Sequence, residues 1–306
     1  MTHAWPLAHG GALTWDELAL VVALYVLLGL VVLAGRRSRA GDGVDESSSN
    51  DIDAYGGAAI VVDDVSFRRG RDWTIRNVDL QVEPASFVVI AGANGAGKTT
   101  LLGLIAGREV PSAGTILIGG INPHLTPDLA AALVGVVDHQ SLLYPRLTVR
   151  ENLEYFAALH GLDDERRRIA RALALVQLRD RADSRVDRLS HGQRQRASLA
   201  RAILHGPRVL LLDEPFSGLD LSGADGLEHL LGQLRDAGIT VVMTTHDLER
   251  AVALADRVLV VAEKTIAADI DCAAFGPVAT KVRCREILIG SAGAQTPAPA
   301  IPVGST

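Results

Sequence analysis

Residues 92–99 read GANGAGKT and sit between the apolar run FVVI at 87–90 and the stretch TTLLGLIAG at 99–107. Glycines at 92, 95 and 97 permit tight turns and a close approach that any side chain would block. Successive backbone N–H groups can then point into one concavity. A strand before and a helix after complete the context of a phosphate-binding loop, and the start of that helix adds further unpaired N–H groups. In such a loop Gly92, Ala93, Asn94, Gly95, Ala96, Gly97, Lys98, Thr99 and Thr100 surround the phosphates. Lys98 reaches the outer two phosphates and the Thr99 hydroxyl holds Mg²⁺. A chance glycine-rich turn would leave the flanking strand and helix without a reason.

Outward from this loop, strands and helices alternate from about residue 59 to about 290. The runs RVLLLD at 208–213 and ITVVMTT at 239–245 are continuously apolar, as central parallel strands covered on both faces must be. VVDDVSF and NVDLQV alternate in the manner of half-exposed strands, whereas FAALHG and ERRRIARALALVQL are periodic as helices. The reading is an α/β fold of the P-loop NTPase kind with a helical subdomain at about 145–200. Asp213, at the end of its strand, can hold Mg²⁺ through water. Glu214, pointing elsewhere because strand side chains alternate, is placed to orient or deprotonate the attacking water. His246 ends another strand and is expected at the outermost phosphate and that water. Gln140 follows AALVGVV at 131–137 and offers a neutral amide to Mg²⁺ or water.

The extremities differ. Residues 18–35, LALVVALYVLLGLVVLAG, carry no charge and are followed by Arg36, Arg37 and Arg39. That length lies in the lower range for a transmembrane helix, and the arginines place the downstream chain in the cytoplasm. A single-pass protein of the cell membrane is expected, with residues 1–39 as its anchor. Residues 40–58, with five carboxylates and three consecutive serines, read as a flexible acidic linker. Residues 291–306, with three prolines among small residues, read as a disordered tail. A net charge of -6 and the lack of a basic stripe argue against nucleic acid as a partner. Cys272 and Cys284 do not form a metal-ligand pair, so zinc is not expected.

Taken in order, these pieces resemble the ATP-binding subunit of ABC transporters. LSHGQRQR at 189–196 is similar to the family signature LSGGQ, with His191 in place of a glycine. Gln140 corresponds to the Q-loop, LLLDEP to Walker B, SGLD at 217–220 to the D-loop, and His246 in TTHD to the switch histidine. The resemblance spans about residues 60–265. It implies ATP and Mg²⁺ as ligands and a head-to-tail pair of ATPase domains, either a homodimer or a pairing with a similar paralogue. In that pair Ser190, Gly192, Gln193 and Asp220 act on the nucleotide held by the opposite lysine loop. It also implies separate permease subunits, with Tyr144, Pro145 and Leu147 as candidate contacts. The family commonly stacks an aromatic ring on adenine from the position of Arg69; here Arg69 or Trp73 has to serve.

The stretch at 134–161, with HQ, LLY and LTVRENL, is similar to haem-exporter ATPases of cytochrome c maturation. This resemblance implies export, with haem as a candidate cargo. General ABC-2-type exporters and non-transport regulators of the superfamily are the alternatives.

Overall fold

The computed structural model describes residues 56–293, all within the second of two units into which the chain divides, Met1–Asp51 and Ile52–Thr306. β3 (Phe87–Gly92) is buried along its whole length, and the larger sheet is built around it. Its strands are β5 (Val134–Val137), β6 (Val209–Asp213), β7 (Thr240–Thr245), β3, β8 (Arg257–Ala262) and β9 (Thr265–Asp271), in the order β5-β6-β7-β3-β8-β9. All pairings are parallel except the antiparallel edge between β8 and β9.

Alternate residues of these strands serve different cores, which explains why the central runs are apolar throughout. Val88, Ile90, Leu211, Val242 and Leu259 join one cluster, and Phe87, Val89, Leu210, Leu212 and Met243 join the other. The first cluster holds α1 (Lys98–Ile105) through Leu101, Leu102, Leu104 and Ile105. It is roofed by a second sheet of order β2-β1-β4, from β1 (Ile60–Arg69), β2 (Asp72–Val82) and β4 (Ala113–Ile118). Each fully buried Leu or Ile there contributes about 1.5–3 kcal/mol relative to exposure. α1 is thereby fixed at the base of the glycine loop.

The second cluster runs without a break into the helical subdomain. α3 (Val149–Leu159), α4 (Glu165–Leu175) and α5 (His191–Ile203), which follow α2 (Pro127–Leu133), supply Leu153, Ile169, Leu173 and Leu199 to it. α6 (Leu221–Asp236) and α7 (Leu248–Leu254) cover the same face through Leu227, Leu231, Leu234 and Val252. The last element, α8 (Cys272–Gly293), is broken near its start by Gly276 at φ 72°.

Several expectations meet different structure. Ala58, assigned to the linker, is 2 % exposed, and its carbonyl accepts from Thr240 Oγ1. At the other end α8 continues to Gly293, past residue 291. The fold class requires a correction. Among the described residues no helix is long and apolar enough to cross a membrane, and the expected span at 18–35 lies outside them. Eighteen helical residues reach only about 27 Å against about 30 Å of hydrocarbon, so length alone was a weak signal. The observed fold is the α/β P-loop architecture with its helical subdomain, and the transmembrane element and the single-pass localisation resting on it find no support among the described residues.

Candidate functional site

The C-terminal ends of β3, β5, β6 and β7 converge, which is where open parallel sheets bind ligands. β3 leads into the glycine loop, where Gly95 and Gly97 hold φ of 79° and 108°, a region closed to most side chains. A Cβ on Gly97 would lie 2.6 Å from Ile75 Cδ1 and 2.8 Å from the Thr74 carbonyl. One on Gly92 would lie 2.6 Å from the Val261 carbonyl. Glycine is thus imposed from outside the loop, by β2 and β8. Gly97 also caps α1, its carbonyl accepting from Leu101 N at 2.8 Å.

Lys98 is buried, and its Nζ donates to the carbonyls of Gly92 (2.9 Å) and Ala93 (3.2 Å) and lies 3.8 Å from Glu214 Oε1. Asp213 Oδ1 accepts from Thr99 Oγ1 at 3.1 Å and from Thr244 Oγ1 at 2.6 Å. Its second oxygen accepts no hydrogen bond from the described residues. Thr244 is the functional residue that sequence reasoning missed. It pairs in register with both Ile90 and Asp213, and its hydroxyl also accepts from Glu214 N at 3.0 Å. The available signal was a threonine ending the buried run TVVMTT just before the histidine.

Glu214 does point away from Asp213, but not through strand alternation. β6 ends at Asp213, and Glu214 adopts φ 48°, a left-handed conformation costing on the order of 1–3 kcal/mol. The turn aims the carboxylate at His246, whose Nδ1 lies 2.7 Å from Oε2. A carboxylate only accepts, so the imidazole carries its proton on Nδ1.

Thr74, Asn94, Gly95, Gly97, Lys98, Thr99, Thr100, Asp138, His139, Gln140, Asp213 and Glu214 line one cleft of roughly 530 Å³. Gln140 thus reaches the expected site. The donor set suits a triphosphate with a hard cation: backbone N–H groups, a buried ammonium, and a hydroxyl beside a half-committed carboxylate. Ser190, Gly192, Gln193 and Asp220 do not line this cleft. Ser190 caps α5, accepting from Gln193 N at 3.2 Å, while Gln193 Oε1 accepts from Ser190 N at 3.0 Å. Asp220 caps α6, accepting from Gly223 N at 2.9 Å. At the expected adenine position Arg69 is paired with Glu109 at 2.8 Å, and Trp73 has the guanidinium groups of Arg68 and Arg76 within 6 Å of its ring.

The model of the ABC transporter family matches residues 75–217. The aliphatic sulfonates import ATP-binding protein of Albidiferax ferrireducens is 41 % identical over 216 residues, covering 70 % of this chain and 74 % of that protein. The chain belongs to the ABC transporter ATP-binding proteins. A spermidine/putrescine import ATP-binding protein of Oleidesulfovibrio alaskensis is 39 % identical over 61 % of this chain, but only 50 % of that longer protein is spanned. Among solved structures, a dimeric ATP-binding cassette in a post-hydrolysis state with ADP and Pi is 27 % identical. It has a TM-score of 0.63 and covers 69 % of this chain and 98 % of its own.

This ABC protein is therefore an ATPase whose hydrolysis is coupled to transport. ATP and Mg²⁺ are the family's typical ligands, and the fold is consistent with a dimer and an associated permease. The haem-exporter and exporter assignments are corrected. Relatives at 39–41 % identity include import ATP-binding proteins for aliphatic sulfonates, spermidine/putrescine, sulfate/thiosulfate and Fe(3+) ions. Within the stretch at 134–161, the LTVRENL run serves the fold. Asn152 is fully buried, with Oδ1 accepting from Tyr144 N at 2.7 Å and Nδ2 donating to Tyr144 O at 3.1 Å. Thr148 and Glu151 form the capping box of α3. Residues with such duties carry no information about cargo.

Proposed function

We propose that the chain is the ATP-hydrolysing subunit of an importer, working as one of two identical domains attached to separate permease subunits. The uptake functions named for its relatives support the direction. Residues 92–100 cradle the phosphates, and Lys98 neutralises their charge from below. Thr99, Asp213 and Gln140 would hold Mg²⁺, which draws charge from the phosphate oxygens when bound.

Glu214 takes the proton of the attacking water, and His246 steadies the carboxylate through Nδ1. Ser190, Gly192 and Gln193 at the start of α5, with Asp220 nearby, address the nucleotide of the second copy. Tyr144, 47 % exposed and edge-on to Tyr155 at 5.1 Å, is the centre of the permease contact, with Pro145 and Leu147 beside it. The ion pair to Glu109 turns Arg69 away from a stacking role and favours Trp73 for adenine.

One observation carries the reading: the Glu214 carboxylate is held between Lys98 and His246 at the mouth of the lysine loop. Glu214→Gln is expected to keep Mg-ATP binding while hydrolysis falls about 10²–10⁴-fold, and light scattering is expected to find dimers only with ATP. Unchanged turnover would remove Glu214 as the base. Lone chains at saturating Mg-ATP would undo the two-copy arrangement.

A further inference from the structure

His191 occupies the position where the family signature usually has glycine, and it makes contacts that glycine could not. Its Nε2 lies 3.0 Å from the Ser217 carbonyl. A carbonyl only accepts, so this bond requires the proton on Nε2. The ring also lies against Gly218, where an added Cβ would sit 3.3 Å from Nε2. Gly218 holds φ 71°, so the backbone conformation demands glycine there, and an added Cβ would also crowd the imidazole. Beside it, a Cβ on Gly192 would be 3.7 Å from Leu219 Cδ2. The first turn of α5 is thus seated on residues 217–219.

Those residues belong to a turn that begins at the hydrolytic carboxylate. Ser217 N donates to Glu214 O at 3.0 Å and Leu219 N to Phe216 O at 3.3 Å. The turn then closes on the Asp220 cap of α6. A run of hydrogen bonds therefore leads from the ring of His191 to the backbone of Glu214. Glu214 itself stands in a left-handed conformation, which a small displacement of the turn would alter.

We propose that His191 is a positioning residue that clamps the first turn of α5 to the 214–220 turn, so that both move as one piece. The inference rests on the two-copy reading above. In that arrangement the start of α5 meets the nucleotide of the second copy, while Glu214 faces the nucleotide of its own. The clamp makes occupancy of one site bear on the carboxylate of the other, which is a coupling free energy between two sites. His191 touches no reacting atom and acts only through the turn.

The test is the ATP dependence of hydrolysis by the full chain and by His191→Ala and His191→Gln. Alanine keeps the helix and removes the donor, whereas glutamine returns an N–H to the same carbonyl. His191→Ala is expected to lower the Hill coefficient toward one. The ATP concentration for half-maximal turnover should rise about fivefold, the factor that one net hydrogen bond is worth. The melting temperature should hold, because position 191 is exposed, and His191→Gln should recover most of the loss. A wild-type Hill coefficient and half-saturation in His191→Ala overturn the proposal, as does an equal loss in both variants. ATP-driven dimerisation of Glu214→Gln separates the two ideas. Dimers together with an unaffected His191→Ala defeat the clamp alone, and absent dimers defeat the two-copy reading itself.

Discussion

At the scale of single residues, Thr244 and Gly97 show how much of the site is decided by neighbours distant in sequence. Thr244 lies 31 residues from Asp213, yet its hydroxyl fixes one oxygen of that carboxylate and the amide of Glu214. Gly97 was legible as a turn glycine, but the stronger constraint comes from Ile75 and the Thr74 carbonyl across the fold. Gly97→Ala should therefore combine left-handed strain with a clash, destabilising by about 2–4 kcal/mol and abolishing nucleotide binding. Denaturant melts and equilibrium binding of an ATP analogue measure the two effects, and a stable variant with unchanged affinity would refute the constraint. The glutamate after Asp213 could be read as the base, but its direction could not, because a left-handed turn rather than the strand's period aims it.

At the scale of elements, the helical subdomain was visible in the periodicity of α3 and α4, but not the contact between His160 and His205. Their rings stack at 4.4 Å. Burial, with His160 and nearby arginines adding to it, pushes His205 down from 6.5 to about 4. Between those pH values the folded chain binds fewer protons than the unfolded chain, so stability falls as pH drops through the window. Relative to His205→Gln, the wild type should lose up to about 3 kcal/mol between pH 6.5 and 4. Urea unfolding at several pH values reads this difference, and parallel curves for the two proteins would contradict it. The same scale accounts for the LTVRENL run of the stretch at 134–161, which supplies a helix cap and a buried amide.

At the scale of the molecule, the cradle and the signature helix end are both present, but they do not meet within one chain, since none of the signature residues lines the Lys98 cleft. If two copies complete each other's sites, two inactive variants should rescue one another. Lys98→Ala and Ser190→Arg are each expected to be inactive, whereas a mixed dimer concentrates both lesions in one site and leaves the other intact. Recovered ATPase activity on mixing is the expected result; none in mixtures verified to contain mixed dimers would count against composite sites.

The order of motifs along the chain pointed to the α/β P-loop architecture with its helical subdomain, though not to a correct account of the first residues, and named most of the cleft residues. A phosphate loop needs glycine, lysine and threonine at fixed local spacing, and that chemistry is written in consecutive positions. Contacts across the fold settled the rest: Thr244 on Asp213, the turn that aims Glu214, the clamp made by His191, and the structural duty of Asn152. These depend on which strand ends, turns and loops the fold brings side by side, and the spacing of motifs does not encode which side chains will meet there.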